Sequence, residues 1–158
     1  MKSLAVNVLI LLVLSSCQPQ EQPRQEAAPQ DEHEILLDLA AIAGKPPAEV
    51  EQFLGTLTST EKITVGGKVY PRHSYRDGEV TIVFVRNNAT WLKFYPTQEL
   101  PFQKSSLAAL GLPVAEPSIL HPLSLMRWTN FRNLREVNFF GNPDGTIRYI
   151  SVCVTHCP

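Results

Sequence analysis

Several groups of residues carry side chains whose type and spacing can do chemistry. The segment Cys153-Val154-Thr155-His156-Cys157 places two thiols and an imidazole within five residues. Such a set can contribute to a zinc site, close a disulfide or stand as free thiols. A structural zinc site needs four ligands, and His33, His73 and His121 form no recognisable ligand spacing with the tail. The disulfide has a geometric condition. On a straight strand, four residues at about 3.3 Å each would hold the two Cα atoms about 13 Å apart, whereas a bridge needs roughly 4.4–6.8 Å. The expectation is therefore a strand that ends near Val154 and a tail that folds back to close a Cys153–Cys157 bridge. His73, Ser74 and Asp77 supply the atoms of a hydrolytic triad, but they lie within five residues of one hairpin. A nucleophile and its base need supporting structure that one strand end does not provide, so these residues read as strand-end and turn positions. Glu49 and Glu51 are two apart on an expected helix, face different directions, and form no acid–base pair. Asn88-Ala89-Thr90 matches a glycosylation sequon, yet Asn87-Asn88 reads first as a turn. No catalytic residue, metal or cofactor is assigned, and the chain reads as non-enzymatic.

The N-terminus carries a different chemistry. Lys2 is followed by an almost unbroken apolar run, Leu4 to Leu14. A bilayer-spanning helix takes roughly 20 residues, so this shorter run reads as the core of an export signal. Ser15 and Ser16 are small enough to lie extended in a peptidase cleft, and the thiol of Cys17 is the group that can be alkylated. Leu14-Ser15-Ser16-Cys17 resembles the lipobox of bacterial lipoproteins. That resemblance implies removal of residues 1–16 as a signal peptide and acylation of Cys17, which then anchors the mature chain to the lipid bilayer. Two or three acyl chains on one cysteine hold stably where a single chain does not. Gln18 after the cysteine is compatible with sorting to the outer membrane of a Gram-negative cell, facing the periplasm. The full chain has a formal net charge of −1, and removing the signal takes Lys2 with it. Lys and Arg are scattered rather than concentrated, so nucleic acid is not an expected partner.

Residues 17–33 hold the lipid cysteine and then Pro19, Pro23, Pro29 and five glutamines, with no aliphatic side chain larger than alanine. Such a segment cannot bury a core and reads as a disordered spacer, reaching between about 20 Å as a coil and about 50 Å as polyproline II. From residue 34 the pattern becomes that of one folded domain, 34–158. Asp31 and Glu34 suggest a capping box, and Ile35, Leu36, Leu39 and Ile42 recur at helical spacing before Gly44, predicting a helix over 33–43. Pro46-Pro47 opens a shorter helix in which Val50, Phe53 and Leu54 share a face and Gly55 ends the run. From Ile63 the period becomes two. Gly66-Gly67, Asp77-Gly78 and Asn87-Asn88 punctuate strands expected at 68–76, 79–86 and 89–95. A short helical turn through Leu107 and Leu110 stops at Gly111, and Pro113, Pro117 and Pro122 mark 112–122 as an irregular crossing loop. Further strands are expected at 123–128, 134–140 and 146–154. The predicted fold class is α+β: an N-terminal helical hairpin packed on an antiparallel, meander-rich β-sheet.

The stretch Gly44-Lys45-Pro46-Pro47-Ala48-Glu49-Val50-Glu51-Gln52-Phe53-Leu54-Gly55 is similar to the helix-to-strand entry of the SmpA/OmlA-like lipoprotein domains. Thr56 stands where that family usually has proline. The resemblance implies a small α+β fold shared with β-lactamase inhibitor proteins, and an association with the outer-membrane barrel-assembly machinery. Strand alternation separates Trp91, Lys93 and Tyr95 from Leu92 and Phe94, so one set forms a candidate protein-binding face. The expected function is a membrane-tethered, non-enzymatic protein-binding or envelope-assembly module whose partner is an envelope protein. The alternative, implied by the inhibitor resemblance, is an inhibitor or immunity-type protein that blocks an exported enzyme.

Overall fold

The computed structural model describes residues 34–155 and Cys157. The expected signal peptide, the lipid-bearing Cys17 and the spacer lie outside the described residues, as does Asp31 of the expected capping box. Among the described residues no helix is long and apolar enough to cross a membrane.

The fold is mostly β, which shifts the balance of the expected α+β class. Eight strands form one antiparallel sheet: β1 Leu57–Val65, β2 Lys68–Tyr75, β3 Val80–Val85, β4 Asn88–Phe94, β5 Ile119–His121, β6 Leu125–Phe131, β7 Leu134–Gly141 and β8 Ile147–Cys153. Their spatial order is β1-β2-β3-β4-β8-β7-β6-β5. Two four-stranded meanders therefore meet in the middle, where β4 pairs with β8 from Trp91↔Cys153 to Phe94↔Ile150. Two-residue turns with positive φ link β3 to β4 at Arg86 and Asn87, and β6 to β7 at Arg132 and Asn133. Such turns match the right-handed twist of the strands they join.

The helices are shorter than the sequence pattern suggests. The first, α1, is a single turn, Leu39–Ile42, rather than 33–43. Its start is set by Asp38, whose carboxylate accepts from the N–H groups of Ala40 at 2.9 Å and Ala41 at 3.3 Å. Upstream of that cap the chain is held by tertiary bonds instead, as the N–H groups of Leu36 and Leu37 both donate to the Ala109 carbonyl. The second helix, α2, spans Pro47–Leu54 and ends at Gly55, with φ 84°. Val50 and Leu54 are buried, but Phe53 is 54% exposed, so the face expected to hold all three buries only two of them. Two further corrections concern strands. The polar run from Leu57 is an edge strand, too exposed on both sides to show apolar alternation. The proline-rich crossing segment contains β5, whose three residues pair with Arg127, Met126 and Leu125. The helical turn through Leu107 and Leu110 is a 3-10 helix, Lys104–Leu110, ended by Gly111 at φ 67°.

The core lies against one side of the sheet. Ile82, Phe84, Leu92, Phe94, Trp128, Val137, Phe139, Ile150 and Val152 from the strands join Leu39, Ile42, Val50, Leu54, Leu107 and Leu110 in one buried cluster. Trp128 and Phe139 meet edge to face with ring centroids 4.9 Å apart, an arrangement favoured by the ring quadrupoles. The other side of the sheet carries the alternate residues of every strand.

Candidate functional site

Trp91, Lys93 and Tyr95 belong to that other side, since their neighbours Leu92 and Phe94 are core residues. The β4–β8–β7 pairing brings residues from distant parts of the chain beside them. Lys93 stands opposite Ser151, which in turn stands opposite Asn138, and Phe140 stands opposite Tyr149. The aromatic rings form a continuous row. Tyr95 lies 5.7 Å from Tyr149, and Tyr149 stacks on Phe140 at 4.4 Å with planes 15° apart. The Lys93 ammonium sits 5.4 Å from the Trp91 ring centre and 5.8 Å from that of Tyr149. Both distances are within the range of cation–π attraction. The Trp91 indole N–H donates to Ser151 Oγ at 3.0 Å, which fixes the ring over the sheet. Trp91, Lys93, Tyr149 and Phe140 are half-buried, and Tyr95 is 41% exposed.

The charges around this row are organised. On one flank Arg72 pairs with Glu61. On the other, Arg127 Nε donates to Asn138 Oδ1 at 2.6 Å, and the Asn138 amide donates to Glu136 at 3.2 Å. Among the described residues no carboxylate pairs with Lys93. An ammonium held between two rings with no counter-charge can receive a carboxylate from a partner at low ordering cost.

The other sequence-nominated residues are dispersed. His73 lies on the core side of β2 and Ser74 on the opposite side, while Asp77 sits beyond the strand in the turn at φ 52°. His73 Nδ1 lies 3.4 Å from the Tyr75 hydroxyl, and its ring packs 4.8 Å from that of Phe84. Burial lowers its pKa below 6.5, partly offset by the carboxylate of Glu51. These residues make no nucleophile–base pair. Glu49 pairs with Lys45, which precedes α2. Cys153 and Cys157 are joined as a disulfide with Cα atoms 5.7 Å apart, and β8 stops at Cys153. The bridge uses both thiols, so the tail offers no thiolate to a metal.

Tyr149, Phe140 and Ser151 complete the surroundings of Trp91 and Lys93, a grouping not legible in the sequence beyond the presence of aromatic residues in two expected strands. Their proximity depends on pairing between residues about sixty positions apart. Comparison with protein-family models, with curated proteins and with solved structures finds no match for this chain.

Proposed function

We propose that this chain is a membrane-tethered, exported lipoprotein that works without catalysis, as a protein-binding or envelope-assembly module. In this reading Cys17 carries the lipid and residues 18–33 space the domain from the bilayer. The N-terminal helices act as a hairpin that covers one side of the sheet and leaves the other for a partner. The observation that carries the reading is the Lys93 ammonium held between Trp91 and Tyr149 in a row of rings extended by Tyr95 and Phe140. Tryptophan and tyrosine are among the side chains that most often dominate protein–protein binding energy, and the Lys93 ammonium adds a charge to them. The SmpA/OmlA-like resemblance supports an envelope-assembly partner.

The test is retrieval of partners from detergent-solubilised membranes by the full mature chain, compared with Trp91→Ala and Lys93→Glu. An envelope protein bound by the parent and weakened at least about ten-fold by either substitution supports the reading. Retrieval of a single exported enzyme, with loss of its activity, would instead favour the inhibitor or immunity alternative. Undiminished retrieval by both variants overturns the assignment of this face.

A further inference from the structure

A second feature lies on the helix side of the sheet, where two neighbouring hairpins part. β2 pairs with β3 only from Arg72↔Val83 to Tyr75↔Val80, although β2 begins at Lys68 and β3 continues to Val85. Lys68–Pro71 are therefore bonded to β1 alone, and Phe84 and Val85 to β4 alone. Two local causes end the ladder at this level. Pro71 has no N–H to donate across the gap. The register shift between Val83 and Phe84 bulges β3 against β4 and turns that hairpin aside.

The space between the hairpins is a cleft of about 1060 Å³. His73 and Phe84 lie at its base, Val69 and Tyr70 along one wall, and Val154 and Thr155 of the bridged tail border it elsewhere. Val69 is 60% exposed. The charged side chains among its described lining residues are Lys68 and Arg86, with no carboxylate beside them. His73 adds no positive charge near neutral pH, because burial keeps its imidazole unprotonated. The cleft thus combines an apolar base, a cationic rim and a strand edge whose backbone groups at Lys68–Tyr70 are free of β3. An unpaired strand edge is a template for a further strand, and side-chain pockets beside it select the sequence that adds.

We propose that this cleft binds an extended acidic peptide segment of a partner protein. The segment lies along the free edge of Lys68–Tyr70, rests apolar side chains on Val69 and Phe84, and directs carboxylates to Lys68 and Arg86. At about 3.3 Å per residue the open length of β2 accommodates roughly four to six residues. The choice of occupant rests on charge complementarity: Lys68 and Arg86 make no ion pair among the described residues, and with Glu51 placed towards His73 rather than among the lining residues, the rim favours acidic segments over basic ones. The site is separate from the Trp91–Lys93 face, which lies across the sheet.

The test uses an end-blocked, fluorescein-labelled decapeptide of alternating Glu and Val, titrated by anisotropy with the full mature chain. A matching Lys–Val decapeptide is the charge control. Saturable binding of the Glu peptide is expected, with the Lys peptide weaker by at least about ten-fold. Lys68→Glu and Arg86→Glu are each expected to weaken the Glu peptide about ten-fold, and the double variant to prefer the Lys peptide. Both side chains are exposed and carry no ion pair among the described residues, so the fold should tolerate the changes. Arg135→Glu, outside the cleft, should leave binding unchanged. Equal binding of the two peptides, insensitivity to both reversals, or no saturation by about 1 mM chain overturns the proposal.

Discussion

Tyr75 has no exposed surface, and its phenol is held against ionisation. Burial, followed by the Glu51 carboxylate, pushes its pKa from 10.0 up to about 12. A raised tyrosine pKa means that the folded chain keeps a proton which the unfolded chain has already released. Stability from this source is complete below about pH 10 and is lost as the pH rises towards about 12. Tyr75→Phe should remove that alkaline decline. The check is the urea midpoint at about pH 9 and about pH 11.5, with a smaller difference between the two in the variant than in the parent. An unchanged difference would assign the alkaline loss elsewhere. At neutral pH the substitution should cost little, since the 3.4 Å contact to His73 is long for a hydrogen bond. His73 acts in the opposite sense. Its lowered pKa makes the folded chain resist protonation, so stability falls as the pH drops below 6.5.

At the scale of elements, α2 separates what periodicity can read from what it cannot. Proline at its first position and glycine after its last are local signals, and the helix begins and ends where they stand. Its apolar stripe includes three side chains, but only Val50 and Leu54 are buried in the core. Leu54→Ala should therefore cost about 2–5 kcal/mol, while Phe53→Ala should change stability by only about 0.5 kcal/mol. Chemical denaturation of the two variants checks this, and comparable losses would place Phe53 in the core after all. The same contrast explains α1. Ile35, Leu36, Leu39 and Ile42 keep helical spacing, yet the Ala109 carbonyl captures the N–H groups of Leu36 and Leu37. Helix formation is delayed until Asp38 can cap it, a choice made by a partner about seventy residues away.

Over the whole molecule, the two meanders share the β4–β8 seam and one continuous core. Neither half has its own buried centre, so the domain should unfold as a unit. Trp91 in the first meander and Trp128 in the second provide independent reporters. The variants Trp128→Phe and Trp91→Phe, each left with one tryptophan, should show a single fluorescence transition that coincides with the loss of far-ultraviolet dichroism. Separate fluorescence and dichroism transitions within either variant would divide the sheet at the seam into two cooperative units. Coincidence would also explain why a face assembled from β4, β7 and β8 can keep its geometry: it spans the join that holds the halves together.

Most strands, the Gly66-Gly67 turn and the two glycine-terminated helical segments were legible in the sequence, because each rests on residues close along the chain, whereas the turn at Arg132 and Asn133 was not. Gly66-Gly67 takes positive φ without a side-chain penalty, and Val80 to Val85 is a short, almost continuous apolar run of β-branched and aromatic residues bounded by turn signals. The strand β1 was not legible in full, since an exposed edge has no need of apolar alternation, and β5 was hidden by the prolines around it. Only the tertiary structure decided that β4 pairs with β8, and with it the meeting of Lys93 with Tyr149 and the opening of the cleft beside Pro71. Register across a sheet is fixed by the summed packing of all its strands rather than by any short segment. A one-residue slip would exchange the two faces, so the identity of each face belongs to the assembled sheet.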